Sequence, residues 1–356
     1  MKAAVFHGPG DIRLDDVVEP EIAQGDVKVK IDWCGICGTD LHEYLAGPIF
    51  IPAAGQPHPL TGATMPVTLG HEFAGTVVEV GGGVGRVSTG DTVAIEPVLR
   101  CGECTACRQG FPNMCDKLGF YGLAGGGGGM SEFAVVPGYT VHKLPDGLTT
   151  EQGALVEPIA VGLRAVRRSG LQPGQSALVL GAGPIGAVTM LCLKAAGAEP
   201  ILVAEVAEAR KAKALELGAD AVIDPSTENA VERVKELTGG EGVDHAFDAA
   251  GIEATLQTAI RATREGGSVT IISIWEKPAM IDPNEIVLAE LDLHGIIAYT
   301  PEDFADTIVM ITDGQIDTRG VVTSRIELDD IVADGFDELV AHKDRHVKIL
   351  VRSPEG

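Results

Sequence analysis

Four of the chain's seven cysteines, Cys101, Cys104, Cys107 and Cys115, fall within one stretch of fifteen residues. The spacing C-x2-C-x2-C-x7-C lets a single loop surround one zinc ion with four thiolates at about 2.3 Å each. Supplying all four from one loop costs little closure entropy. Such a site has no open corner for a substrate, so it is structural, and in small metal-dependent systems it contributes on the order of 10 kcal/mol to folding. Free or redox-active thiols are the bland alternative. An iron–sulfur cluster also takes four cysteines, but the seven-residue gap does not match the usual ferredoxin runs. The segment therefore holds structure, and the chemistry belongs elsewhere.

A second set of donors is scattered. Cys37, Thr39, Asp40 and His42 stand in CGICGTDLH, His71 and Glu72 in LGHEFAG, and Glu157 in ALVEPIAVG. Taken alone, His71 reads most simply as a packed core histidine. Glu157 sits among apolar residues, where an unpartnered carboxylate is costly, and a metal would serve as its partner. A zinc ion held by three side chains keeps a fourth position for water or a substrate oxygen. It then acts as a Lewis acid and brings the pKa of a bound hydroxyl toward neutrality. Cys34 and Cys37 have the spacing of a redox pair without the surroundings of one, and Cys192, in TMLCLKAAG, reads as core.

The third chemical signal is GAGPIG, residues 181–186, which follows the apolar run ALVL and opens a helical pattern. In that context G-x-G-x-x-G binds a dinucleotide. Gly181 permits the tight turn, Gly183 the close approach of the pyrophosphate and Gly186 the packing of helix on strand. Pro184 and Ile185 complete the loop, and the helix N-terminus offers free N–H groups to phosphate. Glu205 ends the next strand, nineteen residues after Gly186, where an acidic side chain bonds ribose hydroxyls. Its charge repels a 2′-phosphate and favours NAD over NADP, while the nearby Arg210 works against that preference.

The elements that must position these groups fall into two kinds. Up to about residue 150, short alternating runs such as VKVKIDW (27–33), FAGTVVEVG (73–81) and DTVAIEPV (91–98) predict a β-rich, barrel-like domain. The glycine run 125–129 reads either as a loose loop or as a site of close backbone approach. From about residue 175 the pattern alternates. ILVA, AVID, VDHAFDAAG and GGSVTIISI are strands, with EARKAKALELGA and VERVKELTGG as helices between them. This predicts an α/β fold with a doubly wound parallel sheet. The tail after residue 300 holds one further helix and the strand HVKILV, which is expected to return to the first domain.

The 356 residues suit about two domains. A net charge of −24 excludes a nucleic-acid partner and removes the reading of the cysteine lobe as a nucleic-acid-binding zinc ribbon. No apolar run is long enough to span a membrane. The opening MKAAVFHGPG lacks the apolar core of a signal peptide, so a cytoplasmic protein is expected.

Together these features resemble the zinc-dependent medium-chain alcohol dehydrogenases, over the whole chain. GHEFAGTVVEVG (70–81) is similar to that family's zinc signature, and the cysteine lobe and GAGPIG follow in the family's order. The resemblance implies a GroES-like catalytic domain (1–157 and 301–356) carrying the structural zinc lobe (about 96–118), and a Rossmann NAD-binding domain (158–300). It implies two zinc ions per chain and a homodimer or homotetramer formed through the Rossmann sheets. Cys37, His71 and Glu157 would hold the catalytic zinc, with Glu72 in competition for the third place. Thr39, then the cofactor ribose and then His42 would carry the substrate's proton outward, and Ile274 would join the loop residues as a cofactor contact. WCGICGTDLHEYLAGPIFIP, HPLTG (58–62), SIWEKP (273–278) and HVKILV further resemble the 2,3-butanediol dehydrogenase branch. This implies a small diol or hydroxyketone as substrate. A thiolate and a carboxylate neutralise the divalent ion, and the carboxylate hardens the site toward oxygen ligands, so both oxygens of such a substrate are expected at or near the metal. Sorbitol-like polyol dehydrogenases and L-threonine 3-dehydrogenases share the zinc signature, and a non-enzymatic NAD-binding zinc protein would share the motifs.

Overall fold

The computed structural model describes residues 1–354; residues 355–356, the end of the expected catalytic domain, lie outside it. Six parallel strands form one sheet, in the order Ala221–Ile223, Ile201–Ala204, Ala177–Leu180, Val243–Asp248, Thr263–Ile271, Asp292–Gly295. The strand direction of build-up reverses between Ala177–Leu180 and Val243–Asp248. A crevice opens there beyond the carboxyl ends of the strands, which is where doubly wound sheets bind ligands. Helices Pro184–Ala195, Glu208–Leu217 and Ala230–Leu237 cross between the strands, as the alternation predicted, and a further helix, Glu253–Ala262, joins them. GGSVTIISI begins its strand earlier than expected and leaves the sheet at Ile271, so Ile272–Ile274 run on to the crevice.

The β-rich part builds a seven-stranded sheet around Asp26–Gly35. Glu72–Val80 lies antiparallel on one side and Lys348–Arg352 antiparallel on the other. The last strand thus returns to the first part of the chain, as expected. Its register sets Gly35 between Glu72 and Leu350. A Cβ at Gly35 would lie 2.0 Å from Glu72 Oε2, so only glycine leaves room for that carboxylate.

Two expectations change. DTVAIEPV is not one strand, because Pro97 has no N–H for a ladder. Thr92–Ile95 stays in the large sheet, while Val98–Leu99 pairs with Gly119–Phe120 in a separate ribbon beside the cysteine lobe. The tail holds more than one helical segment. After helix Pro301–Thr312, a short π-helical stretch, Ile331–Asp337, buries Ile331 and Phe336 and leads into Glu338–His342. Gly335 permits the approach, since a Cβ there would come within 2.8 Å of Ile36.

The glycine run 125–129 is a place of close approach rather than a loose loop. A Cβ at Gly128 would lie 2.3 Å from the carbonyl oxygen of Leu69, and one at Gly129 2.3 Å from the Phe73 side chain. Among the described residues no helix is long and apolar enough to cross a membrane.

Candidate active site

Helix Gly38–Ala46 starts at Cys37, its N-cap. Asp40 in its first turn is wholly buried and accepts the Cys37 N–H at 2.9 Å. Its other oxygen, Oδ1, is 3.4 Å from His71 Nδ1, which leaves His71 Nε2 as the nitrogen for a metal. One carboxylate therefore orients two candidate ligands, a common arrangement around metal-binding histidines. Asp40 was grouped with the possible ligands in the sequence; here it stands behind them.

The donor atoms of Cys37, His71 and Glu72 all lie within 4.8 Å of one another. Glu157 is outside that tight group, yet it lines the same cavity as Cys37 and His71, which Glu72 does not. Glu72 is occupied otherwise. Both its oxygens accept from Lys348 Nζ at 2.7 Å, and Lys348 also donates to the Ile36 carbonyl at 3.2 Å. Lys348 is only 1% exposed. Burial opposes its charge, but Glu72, Cys37 and Glu157 outweigh burial and raise its pKa. The sequence reading passed over this residue, although a lysine inside the apolar strand HVKILV was the signal available.

The electrostatics ask for more positive charge than Lys348 supplies. Burial, with the Glu72 charge, pushes the Glu157 carboxyl up to about 7. Burial lowers His71, yet Asp40 and Cys37 raise it well above the ordinary imidazole value. Burial favours the protonated form of Glu157, and the neighbouring Asp40 and Cys37 favour that of His71. A divalent ion answers that demand, and soft, borderline and hard donors side by side are what zinc accepts. The residues present fit such an ion.

The four-cysteine lobe fits one as well. The four sulfurs lie within 4.8 Å of one another, and Cys101 and Cys115 Sγ are 3.5 Å apart. Backbone N–H groups of Glu103 and Cys104 point at Cys101 Sγ at 3.4 and 3.3 Å, and that of Cys107 at Cys104 Sγ at 3.5 Å. These donors lower the pKa of Cys101 and bring that of Cys104 to about 6, whereas burial raises Cys115 and pushes Cys107 up to about 12, so two of the four thiolates a metal needs are favoured in advance.

The glycine loop lies across the crevice. Gly181 has φ +92°, and a Cβ at Gly186 would sit 1.9 Å from the Gly181 carbonyl oxygen, so neither position tolerates a side chain. Gly183 is the N-cap of helix Pro184–Ala195, with Pro184 in its first turn. The Glu205 carboxylate is buried against the loop. It accepts from the N–H of Ala182 at 2.8 Å and from those of Val206 and Ala207 at 2.8 and 2.9 Å. The Arg210 guanidinium lies 3.6 Å from where a Gly183 Cβ would stand. Asp248, wholly buried at the end of its strand, accepts from the Ser273 hydroxyl at 2.8 Å and so aims the Ser273–Ile274 segment. Sequence reasoning did not pick out Asp248.

Metal-cluster residues and loop residues face one cavity. Cys37, Thr39, His42, His71, Glu157 and Lys348 border one side, and Gly183, Pro184, Ile185 and Ile274 the other. Thr39 Oγ1 is 3.7 Å from Cys37 Sγ. His42 lies one turn further along the helix, with Nε2 3.8 Å from the exposed Glu276 carboxylate at the rim. Phe50, Phe120, Leu123 and Ile296 complete a mostly apolar wall.

A doubly wound sheet, a β-rich partner that supplies a thiol–imidazole–carboxylate cluster, and a separate four-cysteine lobe define a zinc-dependent medium-chain alcohol dehydrogenase, and the chain belongs to that family. Residues 23–146 match the alcohol dehydrogenase GroES-like domain and residues 184–313 the zinc-binding dehydrogenase domain. The chain is 49% identical to the (R,R)-butanediol dehydrogenase of Bacillus subtilis and 44% identical to that of Neisseria gonorrhoeae, in each case over 99% of both chains. The crystal structure of 2R,3R-butanediol dehydrogenase from Bacillus subtilis superimposes with a TM-score of 0.93 at 48% identity, over 99% of both chains.

Proposed function

We propose that the chain transfers a hydride between NAD and the carbinol carbon of a small vicinal diol, interconverting (R,R)-2,3-butanediol and acetoin and reducing diacetyl. The observation that carries this reading is the single cavity between Cys37, His71 and Glu157 and the loop Gly183–Ile185. The 44–49% identity to proteins named (R,R)-butanediol dehydrogenase supports the choice of diol. When bound, zinc supplies the Lewis acid that makes an alcohol hydroxyl acidic near neutral pH, and NAD supplies the hydride acceptor. Cys37, His71 and Glu157 hold the metal. Lys348 keeps Glu72 engaged beside them. The Thr39 hydroxyl takes up the substrate's proton as it gives up its own, and His42, one turn outward, passes a proton on to solvent. The apolar wall excludes water from the reacting carbon, and the helix N-terminus at Gly183 takes the pyrophosphate. Glu205 disfavours a 2′-phosphate and thereby NADP.

In this reading residues 1–157 and 301–356 form the catalytic domain and 158–300 the cofactor domain. The open edge of strand Asp292–Gly295, last in its sheet, is where a second copy would pair. Five thiol ligands that must stay reduced, four in the lobe and Cys37 at the cavity, suit a cytoplasmic setting.

The test is NAD-linked oxidation of the three 2,3-butanediol stereoisomers, with 2-butanol, sorbitol and L-threonine alongside and zinc analysis of the same sample. The expected result is fastest turnover of the (R,R) isomer, a higher kcat/KM for it than for 2-butanol, and two zinc ions per chain. Sorbitol or threonine as the best substrate would move the assignment to those branches. Full turnover without metal would end it.

A further inference from the structure

The four-cysteine lobe is not isolated from the cavity. Between Cys107 and Cys115 the chain makes one 3-10 turn, Pro112–Met114. Its middle residue, Asn113, is 3% exposed. The Asn113 side-chain amide donates to the carbonyl oxygen of Ile297 at 2.8 Å, across 184 residues of sequence. A second contact runs beside it: the Arg164 guanidinium lies over the Phe111 ring of the lobe at 5.9 Å, and Arg164 belongs to helix Val156–Ser169, which carries Glu157.

Ile297 sits where positioning matters. Strand Asp292–Gly295 ends two residues earlier, so the sheet ladder no longer holds the chain there. Ile296, Ile297 and Ala298 all line the cavity together with Gly183–Ile185. Ala298 has φ +46°, a left-handed conformation that a residue with a Cβ keeps only when its surroundings impose it. Tyr299 follows, wholly buried, with its phenol beside Glu157. The segment 296–299 thus joins the cofactor side of the cavity to the metal side, and a buried amide from the lobe pins its midpoint.

We propose that Asn113 is a positioning residue that ties the four-cysteine lobe to the cofactor-side wall of the cavity, so that metal in the lobe and dinucleotide in the cavity stabilise one another. This rests on the reading that the cavity takes NAD. Coupling of this kind is reciprocal: whatever factor the ordered lobe adds to cofactor affinity, the cofactor adds to retention of the lobe's metal.

The test uses Asn113→Leu, similar in size without the donor, and Asn113→Gln, which restores an amide. Losing the bond leaves a buried carbonyl unpaired, and NADH affinity, read by nicotinamide fluorescence, is expected to fall about tenfold in the leucine variant. Both zinc ions stay bound, kcat at saturating cofactor stays near that of the parent, and Asn113→Gln recovers part of the affinity. The second measurement needs no change at Asn113. In a His71→Ala background with one zinc per chain, saturating NADH should slow release of the lobe's zinc to a chromogenic chelator. Adding Asn113→Leu to that background should abolish the protection. Unchanged NADH affinity in Asn113→Leu overturns the proposal, as does lobe-zinc release indifferent to NADH. If the unaltered protein does not bind NADH at all, the cofactor reading falls and takes this inference with it.

Discussion

Lys348 Nζ stands 2.7 Å from both oxygens of Glu72, a residue 276 positions away in sequence, and the pair is almost wholly enclosed. The contact joins the last strand to the zinc signature at the place where the ligands gather. It also assigns the two competing glutamates different surroundings, with Glu72 paired to an ammonium and Glu157 facing the cavity. Breaking a buried ion pair from one side costs about 3–5 kcal/mol, because the remaining charge is stranded. With zinc in the cavity the stranded Glu72 has another cation close by. Lys348→Met should therefore lower the urea midpoint strongly when only the lobe holds zinc, and clearly less when the cavity is also loaded. Equal losses in the two states would separate Lys348 from the metal centre.

Glu157 sets a pH dependence. Its carboxyl is pushed by burial from an ordinary 4.5 to about 7 in the absence of an ion. Between those values the native protein keeps a proton that the unfolded chain gives up. Protein with an empty cavity therefore loses stability as pH rises through that window, by up to about 3 kcal/mol if the shift is fully expressed. Glu157→Gln cannot titrate, and its advantage over the parent should grow from pH 5 to pH 8 in urea unfolding. Parallel stability curves for the two proteins would rule out the shift.

These two residues also mark what the sequence made legible. The alternation of strands and helices after residue 175 is local information, written in apolar periodicity, and five of the six strands of the sheet follow it; the edge strand Asp292–Gly295 was not foreseen. GAGPIG, Cys37, His71 and the cysteine lobe were legible because each lies in a short motif with its own chemistry. Lys348 and Asp248 were not, because their roles depend on contacts made only when strands pair, across 276 residues for Lys348 and between neighbouring strands for Asp248. Glu157 could be preferred to Glu72 only through the family resemblance, since the lysine that distinguishes their settings arrives only with the final strand. Glu205 was readable as an acid at a strand end, whereas its three bonds to backbone N–H groups required the loop to be folded around it. The glycine run 125–129 left two readings open, because tolerance of close approach and simple looseness have the same composition.

The wall of the cavity at Phe50 has its own anchor. Glu43 is wholly buried, and its carboxylate accepts the backbone N–H groups of Ile49, Phe50 and Ile51. Phe50 lines the cavity and meets Phe120 edge-on, with ring centroids 6.3 Å apart. Hydrogen bonds to a charged group contribute about 1.5–3 kcal/mol each, so Glu43→Ala should lower the melting temperature and raise KM for the diol more than it lowers kcat. Phe50→Ala enlarges the cavity and should raise kcat/KM for longer vicinal diols relative to 2,3-butanediol by about tenfold, the worth of one or two methylenes in an apolar pocket. An unchanged ratio would place the substrate away from Phe50.

Thr39 and His42 are a turn apart on one helix, and their order from Cys37 toward the rim is the order in which a proton would leave. Thr39→Val keeps the shape of the side chain and removes the hydroxyl. It should retain two zinc ions per chain and lower turnover by about 10²–10⁴, the usual worth of a positioned proton carrier. Thr39→Ser should keep most of the activity, which separates loss of the hydroxyl from a packing defect. His42 is one-third exposed at its side chain, so solvent can replace it in part. His42→Ala should lose less than Thr39→Val and regain turnover when small buffer bases such as imidazole are added. Full turnover in Thr39→Val would remove the hydroxyl from the proton's path. A His42→Ala enzyme indifferent to added base would mean that the proton leaves without help from the rim.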